Sequence, residues 1–212
     1  MPRRVLTATD LQEIALGGEI TVSGDTLITP LARDEAERRG VTIRVTDKPV
    51  PEAVPAAAPA RRVVALGADH GGFELKQQLA IYLRDWGYTV LDLGADSTAA
   101  VDYPDFAEAV ANAVVRGDAW RGVVIDSAGI GSSIAANKVA GVRAALCYDR
   151  ATARNSREHN DANLLALGAR MIPAEAAREI LAVWLETPFA GGRHQRRLDK
   201  IRAIETRFAR PG

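Results

Sequence analysis

The sequence predicts an α/β protein whose parallel sheet is covered by helices on both faces. Short apolar runs, at residues 63–67 and 122–125, are typical of strands that are buried on both sides. Segments with helical spacing of apolar residues, such as 73–86, lie between these runs. Repeated alternation of the two patterns predicts a parallel sheet rather than hairpins.

Residues 61–212 carry the main set of elements. We expect strands at 63–67, 89–93, 122–125, 143–147 and 163–167, and helices at 73–86, at 106–115, near Ile134, from Ala151, at 173–185 and at 193–208. Ligands of such sheets bind beyond the carboxyl ends of the strands, so we expect the functional loops there.

The sequence of residues 1–47 predicts a separate small α+β module. A Pro/Ala linker at 48–60 joins it to the main domain. Four elements are expected in order: a helix at 9–16, a strand at 19–22, a helix that begins at Thr29 and ends at Gly40, and a strand at 41–45. The linker reads KPVPEAVPAAAPA, which is typical of a semi-extended segment. The module carries no cluster of catalytic residue types, which favours a docking or packing role.

Composition limits the classes of function. The chain has 212 residues, of which 47% are apolar, and its 27 basic and 27 acidic residues balance. Zero net charge argues against a surface for nucleic acid or anionic membrane. The single cysteine, Cys147, excludes an internal disulfide and a cysteine-based metal cluster. No signal-peptide pattern or membrane-length apolar run is present, so we expect a cytoplasmic protein.

Three loops at predicted strand ends carry polar side chains. The first contains Asp69 and His70, the second reads DSAGIGSS from Asp126, and the third leads to His159. Glycines at a strand-to-helix turn let backbone N–H groups converge on an anion, although a tight turn is the alternative. The second loop lacks both the third glycine of a dinucleotide fingerprint and the Gly-Lys-Ser/Thr of a P-loop.

Basic residues gather near the C-terminus. Arg193 and Arg197 are four residues apart and share one helix face, which suits a phosphate group; a solvated helix face is the alternative. His194 lies between them. The three histidines show no close ligand spacing, so no metal site is expected.

Five motifs, in order, resemble the ribose-5-phosphate isomerase type B and galactose-6-phosphate isomerase family. They read GADHGGFELK, DYPDFA, GIGSSIAANKVAGVRAAL, SREHNDANLLALGARM and GGRHQRR. The resemblance extends from residue 63 to about residue 205. The resemblance implies a Rossmann-like three-layer α/β/α domain. It also implies a homodimer, sometimes paired into a tetramer, whose active sites are shared between subunits. The implied activity is aldose–ketose isomerisation of a phosphorylated sugar through an enediol, without cofactor or metal.

The resemblance assigns roles to named residues. It implies that Asp69 and His70 bind sugar hydroxyls, ring oxygen or phosphate, and that His159 assists ring opening. Asn160 would lie beside His159 as a hydrogen-bond partner. The remaining implied site residues are Ser127, Gly129, Gly131 and Ser132 in an oxyanion hole, Arg170, Arg193 and Arg197 at the phosphate, Tyr103 in the pocket wall, and His194, whose role is unassigned.

The chain departs from the family at the catalytic base. Many members have a cysteine where this chain has Asp126, and others have a glutamate where it has Ser132. Cys147 lies on a different predicted strand. Asp126, at the end of a buried strand, is therefore the candidate base. Alternatively it only binds hydroxyls, as in the A-type subunit of galactose-6-phosphate isomerase. Ala128 also replaces a hydroxyl residue found in many relatives.

The expected reaction is conversion of ribose 5-phosphate to ribulose 5-phosphate. Alternatives are a hexose-phosphate isomerase subunit, acting on galactose 6-phosphate or allose 6-phosphate, and a non-catalytic sugar-phosphate-binding or scaffold homologue. The stretch ITPLARDEAERRGVTIRV resembles segments of bacterial microcompartment enzymes. It suggests that residues 1–47 bind a shell or cargo partner, the alternative being packing on the chain's own dimer.

Overall fold

The computed structural model describes residues 5–6, 11, 14, 17–24, 26–46 and 62–208. The chain divides into two compact units, Met1–Ala60 and Arg61–Gly212. The predicted linker at 48–60 and most of the predicted helix at 9–16 lie outside the described residues.

The first unit contains two pairs of parallel strands and a helix. Its elements are β1 (Val5–Leu6), β2 (Glu19–Ser23), β3 (Leu27–Ile28), α1 (Pro30–Arg39) and β4 (Thr42–Thr46). Strand β1 pairs with β3, and β2 pairs with β4. The Thr29 hydroxyl caps α1 by accepting the Ala32 N–H at 3.2 Å, and Gly40 ends the helix with φ +65°. The two-residue pair β1–β3 was not predicted, because so short a run has no readable period.

The second unit is built on a five-stranded parallel sheet. Its strands are β5 (Val63–Ala68), β6 (Thr89–Asp92), β7 (Arg121–Asp126), β8 (Ala144–Leu146) and β9 (Leu164–Gly168). Their spatial order is β6-β5-β7-β9-β8, so the last two strands along the chain exchange places. The prediction of a parallel sheet is confirmed.

Helices cover both faces of this sheet, as predicted. They are α2 (Phe73–Asp85), α3 (Tyr103–Arg116), α4 (Ile130–Ala136), α5 (Arg150–Asn160), α6 (Ala174–Glu186) and α7 (Gln195–Phe208). Buried apolar residues of α2, α5 and α6, such as Leu79 and Trp184, form one core cluster. Val110 of α3 and Ala136 of α4 belong to the second core cluster. Among the helices that the structure describes, none has the length and apolarity to cross a membrane.

Chain direction places the helix ends at opposite edges of the sheet. Parallel strands all end at one edge, which we call the carboxyl edge, and all begin at the other, the amino edge. Strand β8 pairs Ala144 with Leu164 at the start of β9. The chain must therefore return from the carboxyl edge to the amino edge between these strands, and α5 makes that return. Accordingly, Arg143, just before β8, donates from Nε to the carbonyl of Asn160 at 3.1 Å.

Candidate active site

Nine of the implied site residues surround the carboxyl edge of the sheet. They are Asp69, His70, Tyr103, Asp126, Ser127, Gly129, Gly131, Ser132 and Arg170. Strand β7 lies between β5 and β9, so the loops after these three strands are neighbours. The Asp69 N–H donates to the Ile125 carbonyl at 3.3 Å, and the Arg170 N–H donates to the Ser127 carbonyl at 3.0 Å.

The carboxylate of Asp126 lies inside the glycine loop that follows β7. Its Oδ1 accepts the Ala128 N–H at 2.7 Å and also the Gly129 N–H. Its Oδ2 accepts the Ser132 N–H at 2.9 Å, at the start of α4. The loop N–H groups thus converge on an anion, as the glycine pattern predicts, and that anion is the chain's own Asp126.

Glycines allow the loop after β5 to approach the end of β7. A Cβ atom on Gly72 would lie 2.5 Å from the Ile125 carbonyl oxygen, and one on Gly71 would collide with the Ser127 hydroxyl. Asp69 is 6% exposed and its Oδ1 accepts the Gly72 N–H at 3.0 Å. The carboxylate of Asp69 is therefore held beside the Asp126 loop. Among the described residues, only its Oδ1 accepts a hydrogen bond.

Two tyrosines flank the glycine loop. A Cβ on Gly131 would lie 2.6 Å from the Tyr103 ring, so that ring packs against the bare backbone of the loop. The Tyr148 hydroxyl donates to the Ala128 carbonyl at 2.8 Å. Tyr103 is a predicted pocket residue. Tyr148 is not among the predicted site residues, and its position two residues after the end of β8 is the signal that could have identified it.

A polar pocket of about 490 Å³ opens beside this cluster. Its lining includes His70, Glu74, Thr98 and Arg170. The Nδ1 atom of His70 lies 3.1 Å from the Val101 carbonyl oxygen, which orients the ring. This edge therefore combines two carboxylates, an imidazole, a guanidinium and an anion-binding loop.

The other five implied residues gather at the amino edge. They are His159, Asn160, Arg193, His194 and Arg197. The expectation that His159 lies beyond a strand's carboxyl end is wrong for a single chain, because α5 carries it back to the amino edge. Strand β9 has five residues, which separates the two edges by about 15 Å. Among the described residues, no hydrogen bond or ion pair joins the two clusters.

The two histidines of the amino-edge cluster stack on each other. Their ring centroids are 4.2 Å apart and their planes differ by 8°. His194 is 6% exposed, and burial lowers its pKa, as do His159, Arg193 and Arg197 nearby. Asn155, one turn before His159 on α5, lies within hydrogen-bond distance of it. Sequence reasoning missed Asn155, although its i, i+4 spacing to His159 was the signal.

Two further groups bear on the chemistry. Cys147 is buried next to the edge strand β8, two strands away from β7, and burial raises the pKa of its thiol. Within the part of the chain that the structure describes, no group of three or more His, Cys, Asp or Glu side chains is arranged to hold a metal ion.

Comparison with known proteins decides the family. The Ribose/Galactose Isomerase family matches residues 64–201. The chain belongs to this family. It is 45% identical over 144 residues to the ribose-5-phosphate isomerase B of Escherichia coli, a match that covers 68% of this chain and 97% of that protein. It is also 42% identical over 139 residues to the D-erythrulose-4-phosphate isomerase of Pectobacterium atrosepticum, covering 65% and 91% respectively.

Solved structures agree with the fold. The ribose-5-phosphate isomerase B of Clostridium thermocellum superposes with a TM-score of 0.69 at 49% identity, covering 69% of this chain and 99% of that one. The predictions of a Rossmann-like α/β fold and of a sugar-phosphate isomerase are thereby confirmed. Residues 1–63 lie outside the family match.

Proposed function

We propose that this isomerase interconverts ribose 5-phosphate and ribulose 5-phosphate through an enediol. The observation that carries the proposal is the Asp126 carboxylate, held in an anion-binding loop beside a second carboxylate, Asp69. Such a reaction needs a base between C1 and C2 and donors for the enediolate oxygen. The similarity to the E. coli ribose-5-phosphate isomerase B supports the choice of substrate.

Asp126 serves as the base in this proposal. It removes the C2 proton of the open-chain aldose and returns it to C1, while a hydroxyl proton moves between the two oxygens. As the carboxylate takes up the proton, its negative charge passes to the enediolate. The N–H groups of Ala128, Gly129 and Ser132, which hold the carboxylate, can then donate to the new oxyanion.

We further propose that the complete site forms between two copies of the chain. Arg193 and Arg197, which suit the substrate phosphate, lie at the amino edge, away from Asp126. Apolar side chains are exposed on two helices: Ile130 and Ile134 on α4, and Ile201, Ile204 and Phe208 on α7. A groove of about 930 Å³ runs beside α7 and includes Asn160 in its lining. A second copy would cover this surface and bring its amino edge to the first copy's carboxyl edge.

Residues 1–47 keep their predicted docking role as a proposal. Their fold unit is compact by itself and lies outside the family match, so it is not needed to build the isomerase core. Its partner, a microcompartment shell or cargo protein, and a cytoplasmic location remain predictions from the sequence.

A coupled assay of ribose 5-phosphate isomerisation tests the base. Asp126→Asn should lower kcat by about 100-fold or more with KM little changed, since a general base is worth that much. The asparagine NH₂ would also face loop N–H donors, so Asp126→Cys is the second variant. It supplies the group that many family members use there, and should retain more turnover than Asp126→Asn. Equal turnover by Asp126→Asn and the unaltered chain would remove Asp126 from the mechanism.

Substrate choice is resolved with a panel of sugar phosphates in the same assay. No turnover of ribose 5-phosphate, together with turnover of erythrulose 4-phosphate, galactose 6-phosphate or allose 6-phosphate, would reassign the substrate. The tetrose is included because the Pectobacterium relative is named for it. No turnover of any of them, despite binding, would favour a non-catalytic homologue.

A further inference from the structure

The surroundings of His159 define how its ring can bind a ligand. We propose that Asn155 and His194 are positioning residues that hold His159 as its Nε2–H tautomer in a fixed plane, so that it meets the substrate as a hydrogen-bond donor. The substrate role rests on the proposed function, whereas the tautomer rests on the geometry of the free chain.

Asn155 determines the tautomer. Its amide nitrogen Nδ2 lies 2.9 Å from His159 Nδ1. A carboxamide nitrogen only donates hydrogen bonds, so His159 Nδ1 must accept. A neutral imidazole that accepts at one nitrogen carries its proton on the other. His159 therefore carries its proton on Nε2.

His194 fixes the plane of the ring. The stack at 4.2 Å and 8° leaves His159 no room to tilt towards His194. The Arg193 Nε lies 3.4 Å from His194 Nε2, and a guanidinium can only donate. The His194 proton is therefore on Nδ1, which is buried and has no hydrogen-bond partner among the described residues.

Burial and the neighbouring positive charges favour the neutral form of His194. Arg193 and Arg197 are the nearby guanidiniums, and Glu158 provides an opposing negative charge from α5. Burial and the two guanidiniums lower the pKa of His194, and two protonated rings at stacking distance would repel each other. His194 is therefore a neutral platform, and His159 is the ring that meets the ligand.

This arrangement sets the direction of hydrogen bonding. Without Asn155, both neutral tautomers of His159 would be populated, and one of them would present a lone pair at Nε2. A sugar ring oxygen or carbonyl oxygen can accept a hydrogen bond but cannot donate one. The Nε2–H tautomer is thus the form that suits an oxygen without a proton.

Nitrogen NMR of the full chain tests the tautomer directly. The chain has three histidines, so ¹⁵N-histidine labelling gives three rings, and His70→Gln assigns one of them. We expect His159 to show a protonated Nε2 and an unprotonated Nδ1. Asn155→Leu should give averaged shifts, and Asn155→Asp should reverse them, because a carboxylate accepts from Nδ1–H. Arg154→Gln, also exposed on α5, is the control that should leave them unchanged.

Kinetics test the positioning role. Asn155→Leu should lower kcat about fivefold with KM within about twofold, the scale of one hydrogen bond, whereas Arg154→Gln should lower neither. A protonated Nδ1 on His159 in the unaltered chain would overturn the proposal. So would ¹⁵N shifts and kcat in Asn155→Leu that match those of Arg154→Gln. If the chain does not turn over ribose 5-phosphate, the proposed function fails, while the ¹⁵N shifts still decide the tautomer.

Discussion

Burial shifts the pKa of Cys147 and the pKa of His194 towards values that favour the neutral form of each side chain. The Cys147 thiol is 1% exposed and its pKa is raised, so it is a poor source of thiolate. Burial lowers the pKa of His194, which also favours its neutral form. Asp126 is 5% exposed, and its carboxylate oxygens accept hydrogen bonds from backbone N–H groups of the loop. The candidate base is thus a buried carboxylate whose oxygens are paired with backbone donors.

The lowered pKa of His194 predicts a pH dependence of stability. As pH falls below about 6.5, the ordinary value, the unfolded chain takes up a proton at this residue while the folded chain does not. The unfolded state therefore gains protons, and the free energy of unfolding should decrease from about pH 7 down to the lowered folded pKa. Urea unfolding at pH 7.5 and 5.5 measures the effect.

His194→Phe is the matched variant for that measurement. Phenylalanine keeps an aromatic ring for the stack and cannot be protonated. The loss of stability between pH 7.5 and 5.5 should be smaller in this variant than in the unaltered chain. An equal loss in both chains would mean that other groups account for the pH dependence.

Close backbone approach lets the elements at the carboxyl edge meet. Gly129 opens α4 with φ +79°, and a Cβ there would lie 2.8 Å from the Leu167 carbonyl carbon on β9. Lys76 is fully buried on α2. Its Nζ donates to Asp92 Oδ1, at the end of β6, at 2.7 Å and to the Ala95 carbonyl at 2.8 Å. These contacts explain why glycines and one buried lysine occur at the helix starts and strand ends around the site.

Gly129→Ala compared with Gly117→Ala separates strain from collision. Both glycines have positive φ, but nothing lies within 4 Å of a Cβ on Gly117. Gly117→Ala should cost about 1 kcal/mol for the left-handed conformation alone. Gly129→Ala should cost about 3 kcal/mol, because the clash with backbone is added. Denaturant unfolding compares the two free energies. Equal losses would show that the loop relaxes around the new methyl group.

At the scale of the whole molecule, the two clusters of candidate site residues lie at opposite edges of one sheet. Asp126 and its loop are at the carboxyl edge, whereas His159, Arg193 and Arg197 are at the amino edge. One chain cannot close that separation without remaking the sheet. The exposed apolar faces of α4 and α7 offer a surface for a second copy.

Mixed dimers test the sharing of sites. Asp126→Asn and Arg197→Ala chains should each be nearly inactive alone. Coexpressed, they should recover about a quarter of the original activity, since half of the dimers would contain one intact site out of two. In the control mixture, Arg196→Ala takes the place of Arg197→Ala beside the Asp126→Asn chain. Arg196 is an exposed neighbour of Arg197 on α7. No recovery in mixtures that contain hybrid dimers would show that each site lies within one chain.

Local patterns account for most of what was predicted correctly. Runs of apolar residues predicted β5, β7 and β9, and the helical spacing of apolar residues predicted α2 and α6. Thr29 and Gly40 predicted the two ends of α1. The order of the strands was not available from these patterns, because pairing of β9 between β7 and β8 is a long-range event. The position of His159 at the amino edge does not depend on that order. It follows from the parallel pairing of β8 and β9, because α5 must return to the edge where β9 begins, and the predicted parallel sheet already implied it.

The sequence by itself determined the fold class, the family and the set of polar residues, because periodicity and collinear motifs are local properties of the chain. Only the tertiary structure decided which of those residues meet. It placed the Asp126 carboxylate on the loop N–H groups, stacked His159 on His194, and moved both histidines away from Asp126. The physical reason is that these contacts depend on strand order and helix direction, which are set by packing over the whole sheet.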